Sequence, residues 1–222
     1  PFMTKPADIL LKNSQINLNS FRLAKDLEVS RLLTIGSACA YPGYSDEDKL
    51  SESLFFKGPL HETIECYGFT KLWQQAAHRA FLKEYNIPYD HLVLSNMYGP
   101  HDTFSLKRSH VVGALVRKFT DAKKTGEKVK LLGSGKAERD LVFVEDVVDV
   151  IVSLLNISAT SDVINVGTGV ATSVSSLADK IANLIKYQGE VEWLQNENDL
   201  KGNGALKKTL DGAKIESLLD IK

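Results

Sequence analysis

Two stretches decide how this chain folds: RLLTIGSACAYP at residues 31–42, and TIECYGFTKLWQQAAHRAFLK at residues 63–83. Arg31 to Ile35 is short, apolar and partly β-branched, the composition of a strand buried on both faces of a parallel sheet. The small residues Gly36 to Ala40 then mark its carboxyl end, and that end is where ligands bind in open α/β sheets. In the second stretch Ile64, Phe69, Leu72, Trp73, Ala76, Ala77, Ala80 and Phe81 recur at helical spacing, which predicts an amphipathic helix. Asp90 to Asn96 reads as the next strand and runs into the turn signal Met97-Tyr98-Gly99-Pro100. Strand, helix and strand make a βαβ unit, so the fold class is α/β.

Outward from that unit, Pro6 to Leu27 predicts a helix. Its apolar face is Ile9, Leu10, Ile16, Leu18, Phe21, Leu23, Ala24 and Leu27, with Asn13, Asn17 and Asn19 as poor helix formers. Ser109 to Thr125 predicts a helix opened by a serine cap and closed by Gly126. Val129–Leu132 and Leu141–Val144 read as strands around Gly133-Ser134-Gly135, and Glu145–Leu155 as a helix. Val163–Val166 follows as a strand, Ser173–Ile185 as a helix, Val191–Leu194 as a strand and Asp211–Leu219 as a helix. Gly167-Thr168-Gly169-Val170-Ala171-Thr172 lies between a strand and a helix, as a dinucleotide fingerprint would. Thr172 replaces the third glycine, so the favoured reading is a tight turn rather than a phosphate cradle.

Composition excludes several function classes. With 222 residues, 43% of them hydrophobic, the chain can bury a core in one domain, or in one domain plus a small lobe. A net charge of -1 and a pI near 6.6 give no basic field for nucleic acid. No run of about 18 apolar residues could cross a bilayer. The only cysteines, Cys39 and Cys66, form no C-x-x-C pair, and no basic-plus-apolar leader opens the chain. The expectation is a reduced, cytoplasmic protein without metal, membrane or nucleic-acid partners, with Cys66 as packing.

Tyr67 and Lys71, at i and i+4, share one side of the predicted helix. A phenol ionises near ~10, and a neighbouring ammonium is expected to lower that, giving a proton-transfer device. Gly68 costs about 0.5–1 kcal/mol in a helix relative to alanine, so its presence predicts a close approach to the backbone there.

Ser37, Tyr67 and Lys71 together resemble the catalytic trio of the extended short-chain dehydrogenase/reductase family, also called the NAD-dependent epimerase/dehydratase family. The likeness continues in Ser37–Pro42, in Asn96-Met97-Tyr98-Gly99-Pro100-His101-Asp102 and in Ser109-His110-Val111. It goes on through Gly133-Ser134-Gly135 with Arg139, Val144-Glu145-Asp146 and Asn165–Gly169. Within the family the pattern is most similar to nucleotide-sugar epimerase/reductases of the GDP-L-fucose synthase type.

The resemblance implies a partial Rossmann-type, doubly wound parallel sheet with a small C-terminal substrate lobe. Residues 1–100 plus about 140–170 would belong to the dinucleotide-binding part, and about 101–139 plus 171–222 to the lobe. It implies NADP(H) as cofactor, held by Ser37, Lys71, Asn96 and His110. The implied substrate is a nucleotide-sugar, a GDP-sugar, held by Asn96, Lys118, Arg139 and Asn203. Tyr67 would exchange a proton with the C4 oxygen of a keto-sugar, with Ser37 and Lys71 assisting. Cys39 and His110 would be the acid/base pair for epimerisation, and the chain would pair as a homodimer through its first two long helices. Leu132 stands where these enzymes usually carry tryptophan, and Asn203 where they carry aspartate. The family's opening G-x-x-G-x-x-G does not occur, so a fragment or a shortened homologue is expected, with Arg31–Ile35 as an open sheet edge.

Overall fold

The computed structural model describes residues 4–105, 109–194 and 207–220. Helix α1 (Pro6–Asp26) precedes strand β1 (Leu32–Ile35), and helix α2 (Glu65–Tyr85) precedes β2 (Tyr89–Leu94). There follow β3 (Asn96–Tyr98), α3 (Val111–Thr125), β4 (Val129–Leu132), β5 (Glu138–Phe143) and α4 (Val144–Leu155). The remaining elements are β6 (Asp162–Val166), β7 (Ala171–Ser173), α5 (Val174–Ile185), β8 (Val191–Leu194) and α6 (Ala213–Leu219).

The main sheet is parallel in the order β1-β2-β6, with Ile35 opposite Leu92 and Val93 opposite Asn165. All six residues of β2 are buried, as a central strand covered on both faces must be. Alternation along the strands feeds two cores. Leu92, Leu94, Ile164 and Val166 pack with Val147, Leu154 and Ile215 on one face. Val93 and Val163 pack with Tyr41, Phe55 and Leu210 on the other. Each such fully buried side chain contributes roughly 1.5–3 kcal/mol relative to exposure. Among the described residues β1 has a strand partner on one side only. A third cluster, Leu115, Phe119, Val129, Leu131, Ala178 and Ile181, joins α3, β4 and α5 away from the main sheet.

Several boundaries differ from expectation. His110, not Ser109, precedes α3, and no side chain caps that end, whereas Gly126 closes the helix in the left-handed conformation at φ 77°. The predicted strand 90–96 is two strands, and β5 begins three residues earlier than expected. Arg31 lies just outside β1, and its guanidinium bonds to the buried Asp90 carboxylate and to the Ile157 carbonyl.

The largest correction concerns the two long helices. The buried residues of α2 are Gly68, Thr70, Gln74, Gln75 and His78, and the predicted apolar face is only partly covered. In α1, only Asn17, Phe21 and Ala24 are buried, while Leu11 is 69% and Leu23 57% exposed. The polar residues bury because partners meet them: Asn17 donates to the Thr70 carbonyl at 2.8 Å and accepts from Gln74 at 2.8 Å. A helix former as poor as asparagine is retained where it satisfies the backbone of a neighbouring helix.

Candidate active site

The site is built on the carboxyl end of β1. Ser37 opens a short 3₁₀ turn, Ala38–Ala40, and its hydroxyl accepts the Cys39 N–H at 3.2 Å. The first turns of α2 lie directly on this turn. A Cβ on Gly68 would sit 2.3 Å from the Cys39 carbonyl oxygen, so the close approach expected at Gly68 is made by the backbone that carries Cys39. Gly68→Ala is therefore expected to destabilise the fold by about 1–3 kcal/mol through overpacking, despite alanine's better helix propensity. A urea midpoint equal to or above the parent's would show that the turn yields freely.

This packing brings three chemical groups together. The Tyr67 hydroxyl is hydrogen-bonded to the Ser37 side chain. The Lys71 ammonium donates to the Ile35 carbonyl at 2.8 Å and stands 5.5 Å from the centroid of the Tyr67 ring. Burial raises the Tyr67 phenol above its ordinary range, the Cys39 charge adds to this, and the Ser37 hydrogen bond opposes it. Lys71 is not among these influences, which corrects the expectation that the ammonium lowers the phenol: it stands over the ring and bonds to a carbonyl. Burial lowers Lys71 itself.

A second group of cations faces the same thiol. Arg139, on β5, and Lys208 both interact electrostatically with Cys39, and burial lowers both. Their mutual repulsion lowers Lys208 further. Lys208 forms no ion pair with a carboxylate among the described residues. Two partly desolvated cations beside one thiol form a positive locus suited to an anionic ligand. Lys208 was not singled out from the sequence. Its signal was its place at the end of the 200–208 stretch, which loosely resembles the K-P-D-G-x-P-R-K segment of fucose synthases.

The other expected site residues are more scattered. Asn96 begins β3 at the carboxyl edge of the sheet, opposite Leu141. His110 is the exposed residue preceding α3, with no hydrogen bond from its ring to Cys39, Tyr67 or Lys71. Lys118 donates to the Lys130 carbonyl at 2.7 Å and lines a surface groove of about 580 Å³ with Asp121 and Glu127. A larger groove of about 760 Å³ runs beside α2 past Phe56, Arg79 and Tyr89 and contains none of the trio. Asn203 lies outside the described residues. Among the described residues, no group of His, Cys, Asp and Glu could hold a metal ion, and no helix is long and apolar enough to cross a membrane.

A parallel sheet with a Ser-Tyr-Lys trio at the carboxyl end of one strand defines a Rossmann-type α/β protein of the short-chain epimerase and reductase class. The family model described as NAD dependent epimerase/dehydratase matches residues 2–167, and the chain belongs to that family. It is 32% identical over 216 residues to a GDP-L-fucose synthase of Sinorhizobium fredii, covering 97% of this chain and 67% of that protein. It is 31% identical to the Escherichia coli GDP-L-fucose synthase, covering 97% and 68%. A putative GDP-L-fucose synthase 2 of Arabidopsis thaliana is also 31% identical, and there the match spans 64% of the relative's length. The chain thus spans about two thirds of the curated relatives it matches. In fold it is similar to a GDP-L-fucose synthetase from Naegleria fowleri, with TM-score 0.88, 22% identity and coverage of 98% and 67%. It also resembles a UDP-glucose 4-epimerase from Thermotoga maritima, with TM-score 0.82, 24% identity and coverage of 97% and 65%.

Proposed function

We propose that this chain carries the proton-transfer and sugar-nucleotide-binding parts of an NADP-linked epimerase/reductase acting on a GDP-4-keto-6-deoxy sugar. The observation that carries the reading is the convergence of Ser37, Tyr67, Lys71 and Cys39 with the partly desolvated cations Arg139 and Lys208. The relatives named GDP-L-fucose synthase support the choice of nucleotide and sugar.

Each role follows from chemistry. The buried Tyr67 phenol holds its proton at neutral pH and can deliver it to the C4 oxygen of a ketone, where Ser37 adds a second hydrogen bond. Lys71 uses one of its three donors on Ile35, leaving two for a ribose hydroxyl of NADP(H), so the donor set fits that cofactor. The cofactor, when bound, supplies hydride to C4. Cys39 lies beside Tyr67, so a carbon next to the ketone can lose a proton to its thiolate while the developing enolate oxygen is held by Tyr67. His110 returns a proton from the opposite face, and the family motif rather than a contact supports its role. Arg139 and Lys208 take the pyrophosphate of the substrate, with Asn96, Lys118 and Asn203 completing the sugar-nucleotide and cofactor contacts. Leu132, 68% exposed where related enzymes carry tryptophan, favours a second reading in which the sugar or base differs.

The exposed apolar positions Leu11, Ile16 and Leu23 of α1, Leu27 just past its end and Phe69 of α2 support pairing with a second copy of the chain as a homodimer.

Epimerisation needs no net redox, so it can be tested on the 222-residue chain. Incubation with GDP-4-keto-6-deoxymannose in D₂O is expected to place deuterium at the carbons flanking the ketone, read by mass spectrometry. Cys39→Ser and His110→Ala should each cut uptake at least tenfold. No uptake by the parent chain, or undiminished uptake in both variants, overturns the assignment.

A further inference from the structure

The Gly167-Thr168-Gly169 turn has the look of an anion cradle, and the structure shows that its anion is part of the protein. Asp140, on β5, is fully buried. Its Oδ1 accepts the Thr168 N–H at 2.9 Å and the Thr168 hydroxyl at 2.8 Å. Its Oδ2 accepts the Gly169 N–H at 3.2 Å and the Leu210 N–H at 3.2 Å. A Cβ on Gly167 would fall 2.5 Å from Oδ2, and Gly169 has φ +67°, so both glycines are needed to wrap backbone around the carboxylate. A buried carboxylate with four neutral donors and no ion pair among the described residues is an unusual investment for a turn.

Its fourth donor explains the investment. The Leu210 N–H comes from the segment that carries Lys208, and the Asp140 N–H donates to the Lys208 carbonyl at 3.2 Å. The same segment is fastened on its far side, where Leu50 donates to the Thr209 carbonyl at 2.8 Å and Asp211 to the Leu50 carbonyl at 3.0 Å. Asn165, paired with the Tyr41 hydroxyl at 2.7 Å, also donates to the carbonyls of Leu50 and Asp211. Arg139 is the residue before Asp140. One carboxylate therefore fixes where Arg139 leaves the sheet and where Lys208 arrives beside it.

We infer that Asp140 is a positioning residue: it holds Lys208 against Arg139 and Cys39, and so sets the spacing of the two cations that receive the substrate's pyrophosphate. Asparagine cannot replace it, because its NH₂ would face either the Thr168 donors or the Gly169 and Leu210 donors. The inference rests on the proposed role of Arg139 and Lys208 as phosphate ligands.

The test is a double-variant cycle on the 222-residue chain, read by calorimetric titration with GDP and, separately, with inorganic pyrophosphate. Lys208→Gln is expected to weaken both ligands at least tenfold, and Asp140→Asn at least fivefold. The double variant should be no more than twofold weaker than Lys208→Gln alone, because Asp140 acts through Lys208. Thr168→Val, which removes one donor in four, keeps the question answerable if Asp140→Asn does not fold. It should weaken GDP two- to threefold when Lys208 is present and not when Lys208 is glutamine. Additive losses, or full affinity in both Asp140→Asn and Thr168→Val, overturn the inference and leave the proposed function standing. Pyrophosphate binding that follows the cycle while GDP does not bind sinks the nucleotide reading and leaves the inference standing. Binding of neither ligand by the parent chain sinks both.

Discussion

Tyr67→Phe is expected to lower 4-keto-sugar reduction by about 10²–10⁴-fold, the range a positioned general acid supplies. The match covers 67% of the Sinorhizobium fredii relative, so the assay is run on a fusion of this chain with the unmatched part of that relative. The substitution removes one oxygen. The phenyl ring keeps its place against Lys71 and the first turn of α2, and Arg139 and Lys208 are untouched. Affinity for GDP should therefore stay within threefold, which separates loss of the proton donor from loss of the fold. Burial makes the loss large, since water has poor access to the position that the hydroxyl vacates. Turnover within threefold of the parent would rule out Tyr67 as the acid.

What was legible in the sequence was whatever is written locally. β2 could be read because Leu92, Val93 and Leu94 form a short apolar run that leads into a turn signal, and the trio because its residues stand on one strand end and one helix. The burial of α1 and α2 could not be read, because periodicity reports which face is apolar and not what covers it. There the covered face of α2 is polar, and Gln74, Gln75 and His78 on it bond to Asn17, Tyr89 and Thr34 from elsewhere in the chain. The Asp140 cradle was hidden for the same reason. Its donors lie 28, 29 and 70 residues away, and a turn that binds its own protein's carboxylate has the glycine spacing of one that binds phosphate. The Tyr67 phenol was misjudged because helical spacing fixes that Lys71 is near but leaves open where its ammonium points. It points to Ile35.

The second large effect is expected on acidification. His78 and His91 are both buried beneath the site, and both reach Thr34: His78 Nε2 lies 2.7 Å from its hydroxyl and His91 Nδ1 2.8 Å. His78 also stacks on Tyr89, with ring centroids 4.4 Å apart. His91 Nε2 has no hydrogen-bond partner and is turned towards Gly36, where an added Cβ would lie 2.8 Å away. Burial pushes both imidazoles down to about 3, and His91 is held down further by His78 and by Lys71. Their folded values lie below the ordinary value of ~6.5, so between those limits the unfolded chain binds more protons than the folded one. Stability is then complete above about pH 6.5 and is lost as pH falls, by about 1.4 kcal/mol per pH unit for each histidine. From pH 7 to pH 5 the two together remove roughly 4 kcal/mol, a large share of the 5–15 kcal/mol that holds a typical domain together. Urea unfolding followed at pH 7 and pH 5 should show the midpoint falling steeply with acid. His91→Gln should remove about half of that slope, because it leaves one neutral histidine to be charged. A midpoint that does not move across this range would mean that neither ring is held neutral by the fold.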